Sequence, residues 1–543
     1  MNVKTENRQE KELSQLSPFQ LKDLLIRYAK EETRSKSAAH KLLNAGRGNP
    51  NWVATTPREA FFLLGNFALA ESKSSWDEPG LGGMPRASGI ARRLESFLAA
   101  QPGTPGARLL ADGIAYGARE LGFDPDALVH ELTDSIVGDN YPEPDRMLFH
   151  AERIVHRYLV KTMCNDRPPG GRFDLFAVEG GTAAICYVFK SLMENRILHR
   201  GDTVALGTPI FTPYIELPRL SDYGFNIVEV GQNSMVDRRH AWQYSPEEIS
   251  KLEDPRVKAF FLVNPSNPAS FAMHAETQRQ IVELVRTRRP DLIVLTDDVY
   301  GTFAEDFRSL AADLPRNTIL VYSYSKHFGC TGWRLGVITL HEDNVLDEKL
   351  RRLSAEDSEA LRARYASLST APEAMKFIDR MVADSRDVAL NHTAGLSTPQ
   401  QAQMALFSLF ALLDRDDAYE KRCRQIVHER LERLSRGLGI PIPADPLRIA
   451  YYVDIDLDVG GRRAFGDEFA AYIEAHHDPL DIVLGLARRS GTVLLNGSGF
   501  DGPPWSVRIS LANLDSASYE ALGRDLHQVV QRAFDEWRKS QRG

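Results

Sequence analysis

The chain has 543 residues, 26% of them charged and 43% hydrophobic, with a formal net charge of −8. It is long enough for more than one buried core and has the balance of a globular, soluble protein, while the negative charge argues against nucleic acid as its main partner. Four scattered cysteines, Cys164, Cys186, Cys330 and Cys423, have no metal-ligand spacing and fit reduced thiols; no run reaches membrane-span length and residues 1–15 lack an apolar signal core, so a cytoplasmic location is expected, without membrane or metal.

Residues 1–16 read as a mobile arm. From Pro18 to Ala29 an apolar stripe at helical spacing follows a serine suited to capping. A glycine-punctuated loop comes next, Gly46-Arg47-Gly48-Asn49-Pro50, which taken alone is a turn. Between 72 and 139 lie a Gly/Pro-rich piece and two helical runs, around 90–100 and 125–136. From Arg172 onward apolar strands alternate with amphipathic helices, the pattern of an α/β domain with a largely parallel sheet.

The first of these strands, 175–179, runs into Gly180-Gly181-Thr182-Ala183-Ala184, which opens a helix. Free amides at such an end, together with the helix dipole, form an anion site. The strand 203–206 leads to Pro209-Ile-Phe211-Thr-Pro-Tyr214, where a single aromatic favours core packing. The strand 260–263 leads to Asn264-Pro-Ser-Asn267-Pro268, two Asn-Pro pairs whose asparagines are pushed towards extended backbone. After the strand 292–296 stands Asp297-Asp298-Val-Tyr300, in isolation a cap or loop.

The most informative stretch is Ser323-Tyr-Ser-Lys326-His-Phe-Gly-Cys-Thr-Gly-Trp-Arg334-Leu-Gly336. A lysine among small hydroxyls, with an arginine eight residues on, suits an amine that forms a Schiff base beside a phosphate. Arg334 supplies a planar cation for the phosphate and Ser323 a hydroxyl. The alternative is a solvated Ser-Lys loop before a strand. A charged helical region, 342–387, follows. A C-terminal αβ segment then opens at Leu396-Ser-Thr-Pro399, with strands at 449–455 and 492–495 and a last strand, Trp505-Ser-Val-Arg508-Ile-Ser-Leu511. An arginine inside an apolar strand is costly unless a carboxylate meets it, whether from a substrate or from the protein.

These motifs, in this order, resemble the class I, fold-type I aminotransferases that use pyridoxal 5'-phosphate. The resemblance covers residues 42–52 and 140–515. It departs mildly at Cys330, where an apolar residue is usual, and at Arg146, where glycine is common. It implies an aspartate aminotransferase-like α/β fold: a large domain with a mostly parallel seven-stranded sheet, a smaller α+β domain, and helical insertions. The expected division is an arm and lid segment 1–71, a helical insertion 72–139, a large cofactor domain 140–340, a helical connector 341–395 and a small domain 396–543.

The resemblance also implies roles. Lys326 is the catalytic lysine; Gly181, Thr182, Ala183, Ser323 and Arg334 hold the cofactor phosphate; Phe211 stacks on its ring. Asn267 and Tyr300 meet its 3-oxygen, and Asp297 its ring nitrogen, with Asp298 the alternative if the register slips by one. Tyr141 reaches the phosphate in a partner subunit, which makes a homodimer, or a larger assembly of dimers, the expected state. Gly48, Asn267 and Arg508 take the substrate α-carboxylate.

Two departures narrow the activity. No arginine precedes Pro399 more closely than Arg386, whereas aspartate aminotransferases hold the distal carboxylate with an arginine there; and the chain is longer than usual in three places. Both features, with the wording around Gly46–Asn49, are similar to the aspartate 4-decarboxylases, which convert L-aspartate to L-alanine and carbon dioxide and transaminate with 2-oxo acids more slowly. A tight ion pair to the distal carboxylate would stabilise the ground state more than the charge-dispersed transition state, so a weaker or relocated cation suits its loss. Arg47 is the first candidate for orienting that group, with Arg386 and His392 behind it. The alternatives are a plain aminotransferase acting on aspartate or another amino acid, a synthase acting on a sulfonium substrate, and a cofactor-binding transcription regulator, for which residues 1–50 lack a recognition helix.

Overall fold

Of the strands after Arg172, Phe173–Val178, Ile293–Asp297, Thr318–Ser323 and Gly336–His341 are buried along their whole length, as strands covered on both faces must be. The computed structural model describes residues 18–35, 42–76, 78–101, 103–139, 146–386 and 395–541. The chain divides into two compact units: one contains the described residues of Trp52–Asp202 and Pro290–Lys421, the other those of Met1–Asn51, Thr203–Arg289 and Arg422–Gly543. The fold is α/β with a mostly parallel sheet.

In the first unit the strands Phe173–Val178, Gly336–His341, Thr318–Ser323 and Ile293–Asp297 lie side by side in that order. Gly336–His341 is antiparallel to both its neighbours, and Ile293–Asp297 is parallel to Thr318–Ser323. Register decides what meets: Gly336 stands opposite Val178 on one side and Ser323 on the other, and Asp297 opposite Val321. The carboxyl ends of three strands therefore share one edge with the start of the fourth. That edge carries the Gly-Gly-Thr turn, the Asp-Asp pair and the lysine motif.

A helical bundle completes this unit, formed by Thr55–Ser75, Ile90–Ala99, Pro105–Glu120, Pro125–Val137, Phe149–Cys164 and Thr398–Leu413. Thr104 and Asp124 cap two of these helices by accepting from the amides of Ala107 and Ala127, each with proline at the start of the helix. Pro105–Glu120 was not among the expected helices, because Gly106, Gly113 and Gly117 interrupt its apolar pattern. Those glycines permit close packing: a Cβ at Gly106 would lie 2.6 Å from the Ala60 amide nitrogen, and one at Gly117 2.8 Å from Leu128. Thr398–Leu413 is buried on most of its circumference, including Met404, Phe407 and Leu409, and packs with the bundle.

In the second unit Val257–Val263, Thr203–Thr208 and Asn226–Gly231 run parallel in that order. Asn226–Gly231 is largely exposed or half-buried, an edge strand whose weak apolar pattern hid it in the sequence. The carboxyl ends of the first two strands lead to Asn267 and Phe211. A small antiparallel sheet places Ser506–Ser510 between Tyr452–Asp456 and Leu495–Asn496, and Leu43–Asn44 pairs in parallel with Thr492–Val493. Among the described residues no helix is long and apolar enough to cross a membrane, no acidic, His and Cys groups cluster to hold a metal, and the four cysteines are unbridged.

Candidate active site

Gly180 leaves the strand Phe173–Val178 with φ 90° and ψ 173°, and the helix Gly181–Glu194 begins without a side-chain cap. The first amides of a helix have no acceptor within it, so Gly181, Thr182 and Ala183 present donors at the sheet edge. The Arg334 guanidinium lies directly beside them: a Cβ on Gly180 would sit 2.5 Å from Arg334 Nη2, and one on Gly336 2.7 Å from the Gly180 backbone. Only two glycines allow the turn, the strand and the guanidinium to come this close. Arg334 is left-handed at φ 56°, and its Nη1 donates to the Thr331 carbonyl at 2.9 Å.

Gly181 also borders Ser323, its Cβ position being 3.8 Å from the Ser323 Cβ. Ser323 Oγ donates to the Leu335 carbonyl at 3.2 Å and lies 2.9 Å from Ser325 Oγ. Both serines are buried, and Lys326 between them and buried His327 is half-buried. Uncapped amides, a guanidinium and two hydroxyls thus converge, a cradle of the right charge and donor type for a phosphate dianion. Tyr300 is buried at the turn after the strand Ile293–Asp297.

Asp297 ends that strand buried, and its Oδ1 accepts from the Val299 amide at 3.3 Å. Its neighbour Asp298 is committed elsewhere, accepting from the Thr296 hydroxyl. Burial pushes the Asp298 carboxyl up to about 7, opposed by the hydroxyls of Ser309 and Thr296 and assisted by Asp297. A carboxyl that stays protonated to neutrality is a poor anionic partner, which favours Asp297 over Asp298 for a ring nitrogen.

In the other unit Arg508 is 3% exposed. Its Nη1 donates to Asn267 Oδ1 at 2.9 Å and its Nη2 to the Gly46 carbonyl at 3.1 Å, while the rings of Tyr452 and Phe500 flank it at 4.3 and 4.6 Å. Asp454 stands opposite it in the antiparallel pair. Burial pushes the Asp454 carboxyl up to about 7, although Ser506, His240 and Arg508 favour its ionised form. Among the described residues no carboxylate pairs with Arg508, so its charge remains for a ligand. With its Oδ1 engaged, Asn267 keeps its amide NH2 as a donor.

Phe211 is half-buried whereas Tyr214 is fully buried, which makes Phe211 the more accessible of the two rings. Gly48 is held by its carbonyl, which accepts from Tyr451 Oη at 2.8 Å; Gly46, two residues earlier, is the one bonded to Arg508. Arg47 is exposed and Arg386 buried at the end of the helix Phe377–Ser385. Tyr141 and His392 lie outside the described residues. Reading the sequence missed Ser325, although Ser-x-Ser-Lys spells it out, and missed the Gly180–Gly336 contact and Asp454, which no local pattern signals.

Asp298 and Asp454 have one shared consequence. Each has a folded value near 7 against 3.8 when free, so the folded state binds more protons than the unfolded one between those values. Their contribution is present in full below about pH 4 and is lost as pH rises through about 7. Asp298→Asn keeps the hydroxyl contacts without the titration. Chemical denaturation at pH 5 and pH 8 should show the variant losing less stability than the parent over that interval, by on the order of 2 kcal/mol.

In one unit a buried anion cradle lies beside a lysine at strand carboxyl ends of an α/β fold, where such folds bind ligands; in the other, Arg508 in the middle of Ser506–Ser510 is bonded to Asn267, a pair shaped for a carboxylate. The first is suited to a phosphorylated group and the second to a carboxylate. The family model for aminotransferase class I and II matches residues 177–525, and a bifunctional aspartate aminotransferase and L-aspartate beta-decarboxylase of a Pseudomonas species is 48% identical over 97% of this chain and 98% of its own length. An aspartate aminotransferase of Rhizobium meliloti is 28% identical over 37% of this chain and 52% of its own. The crystal structure of the aspartate aminotransferase from Rhizobium meliloti overlays with a TM-score of 0.60 at 16% identity, covering 95% of this chain and 96% of that one. The chain belongs to the class I and II aminotransferases, and pyridoxal 5'-phosphate is its cofactor. The residues present fit that cofactor: a Cβ at Gly180 would fill the space beside Arg334 that the phosphate cradle requires.

Proposed function

We propose that this enzyme removes the distal carboxylate of L-aspartate as carbon dioxide, leaving L-alanine, and that it transaminates aspartate with a 2-oxo acid as a side activity. The observation that carries this reading is the match to the Pseudomonas bifunctional enzyme, which spans nearly the whole of both chains and so includes the lengths beyond an ordinary aminotransferase.

When bound, pyridoxal 5'-phosphate supplies an aldehyde for an amine and a ring that withdraws electrons from bonds at the substrate α-carbon. Gly181, Thr182, Ala183, Ser323 and Arg334 hold its phosphate, and Tyr141 of a second copy adds a hydroxyl. Phe211 covers its ring; Asn267 and Tyr300 meet its 3-oxygen; Asp297 keeps its ring nitrogen protonated. Arg508 takes the α-carboxylate through its planar fork, with the Asn267 amide and the Gly48 region beside it. Lys326 takes the α-proton and returns it. Arg47, exposed on the loop next to Gly46 and Gly48, orients the distal carboxylate, with Arg386 the second candidate. A cation free to move exerts less ground-state grip on a carboxylate that must leave.

On this reading the enzyme is at least a homodimer, and it works in the cytoplasm on small molecules without nucleic acid. Its chain divides functionally at about 71, 139, 340 and 395. The test is to incubate cofactor-loaded protein with L-aspartate and follow carbon dioxide, alanine and keto acids, with and without 2-oxoglutarate. Equal amounts of carbon dioxide and alanine without any keto acid are expected. Oxaloacetate and glutamate formed only with 2-oxoglutarate would make it a plain aminotransferase.

A further inference from the structure

We infer that Arg58, assisted by Trp52, is a positioning residue for Lys326: the two fix the carbonyls of the three residues that follow the lysine. The inference rests on Lys326 being the lysine that joins the cofactor. Arg58 lies in the first turn of the helix Thr55–Ser75 and turns back on the lysine loop. Its Nη1 donates to Ala54 O at 2.7 Å and Phe328 O at 3.1 Å, and its Nη2 to Gly329 O at 2.8 Å. Trp52 Nε1 donates to His327 O at 3.1 Å, an acceptor shared with Tyr419 Oη at 2.9 Å. The Ala54 amide adds a second donor to Phe328 O at 3.2 Å.

On the loop's own side, the amides of Phe328 and Cys330 donate back to the carbonyls of Tyr324 and Ser325, and Tyr322 and Tyr324 are buried on either side of Ser323. The backbone is thus tied both before and after Lys326. Gly329 shows how close the clamp sits: it is left-handed at φ 61°, and a Cβ there would lie 1.9 Å from the Trp52 carbonyl oxygen.

Arg58 is more than a generic support. Its guanidinium is stacked near the rings of Trp333 and Phe407, 5.1 and 5.4 Å from their centres, and among the described residues it pairs with carbonyls and with no carboxylate. Burial lowers its pKa from the ordinary arginine value. A half-buried cation without a counter-ion is a costly way to gain stability alone. It is well suited to holding two adjacent carbonyls at once, because the fork is planar and rigid; a lysine ammonium offers a single point.

A misplacement of roughly 1 Å at a reacting group can cost about 100-fold in rate. The experiment uses the cofactor-loaded enzyme and the variants Arg58→Ala, Arg58→Lys and Trp52→Phe, each normalised to loaded sites. For Arg58→Ala we expect kcat on L-aspartate to fall about 100-fold with KM within about threefold, and the pH midpoint of the bound cofactor's absorbance to move by about half a unit or more. Arg58→Lys should recover less than about one tenth of the loss. Trp52→Phe, which removes one hydrogen bond, should lower kcat roughly 3- to 10-fold.

An unchanged midpoint with kcat within about threefold of the parent in Arg58→Ala, whatever its melting temperature, would overturn the inference. Should Arg58→Ala fail to fold or load, the same null result in Trp52→Phe overturns it. Borohydride reduction and peptide mapping separate this from the reading beneath it. Cofactor trapped on a lysine other than Lys326 would remove that reading, whereas cofactor trapped on Lys326 with unaffected kcat in the variants removes only the clamp.

Discussion

Replacing Lys326 with alanine should lower turnover of L-aspartate by about 10⁴-fold or more, with both carbon dioxide and alanine lost together. The expectation follows from what surrounds the residue. Its neighbours Ser325, His327 and Phe328 are buried and Lys326 itself is half-buried, so its primary amine projects from a backbone that is held on both sides. Alanine takes away both the covalent anchor and the proton carrier. The phosphate cradle is left intact, because Gly181, Ser323 and Arg334 do not depend on the lysine side chain. Cofactor should therefore still co-purify, but borohydride should no longer fix it to the protein. Decarboxylation at a tenth of the parental rate would sink the assignment.

Arg508→Ala should reduce kcat/KM for aspartate by about 10²- to 10³-fold, with much of the effect in KM. The change removes a two-pronged cation from a site that is 3% exposed and also strips Asn267 Oδ1 and the Gly46 carbonyl of their donor. Truncating a buried charged hydrogen-bond donor costs on the order of 3 kcal/mol or more, which is about two orders of magnitude in binding. Arg508→Lys restores the charge but cannot serve Asn267, Gly46 and a carboxylate in one plane, so it should recover only part of the loss. The measurement is kcat and KM for L-aspartate, with a melting curve to separate a collapsed small sheet from a lost ligand. A variant within about threefold of the parent in kcat/KM would mean that Arg508 is a structural cation after all.

Many of the candidate site residues were legible because they lie in short loops directly after apolar strands. A strand reads locally, and the residues that leave its carboxyl end inherit its address: Gly181 after Phe173–Val178, Phe211 after Thr203–Thr208, Asn267 after Val257–Val263, Asp297 at the end of Ile293–Asp297. The hidden elements were those with weak local contrast. Pro105–Glu120 carries three glycines used for close helix contacts, and Asn226–Gly231 is an edge strand without an apolar run. Asp298 and Asp297 are equivalent in a one-dimensional reading and diverge only when Thr296 and Ser309 are seen to surround the former.

By itself the sequence determined the α/β class and the order of the motifs, and it nominated the lysine, arginine and asparagine to which we assign the chemistry, since each depends on residues within a few positions of one another. The tertiary structure alone decided that Gly336 must be glycine because the Gly180 backbone passes 2.7 Å from its missing Cβ. It also decided that Asp454 leaves Arg508 its charge, that Thr398–Leu413 belongs to the bundle, and that Arg58 grips the carbonyls beyond a lysine more than 260 residues away along the chain. The reason is physical: periodicity and turn chemistry are local properties of a chain, whereas burial, register and close approach are set by segments that meet only after folding.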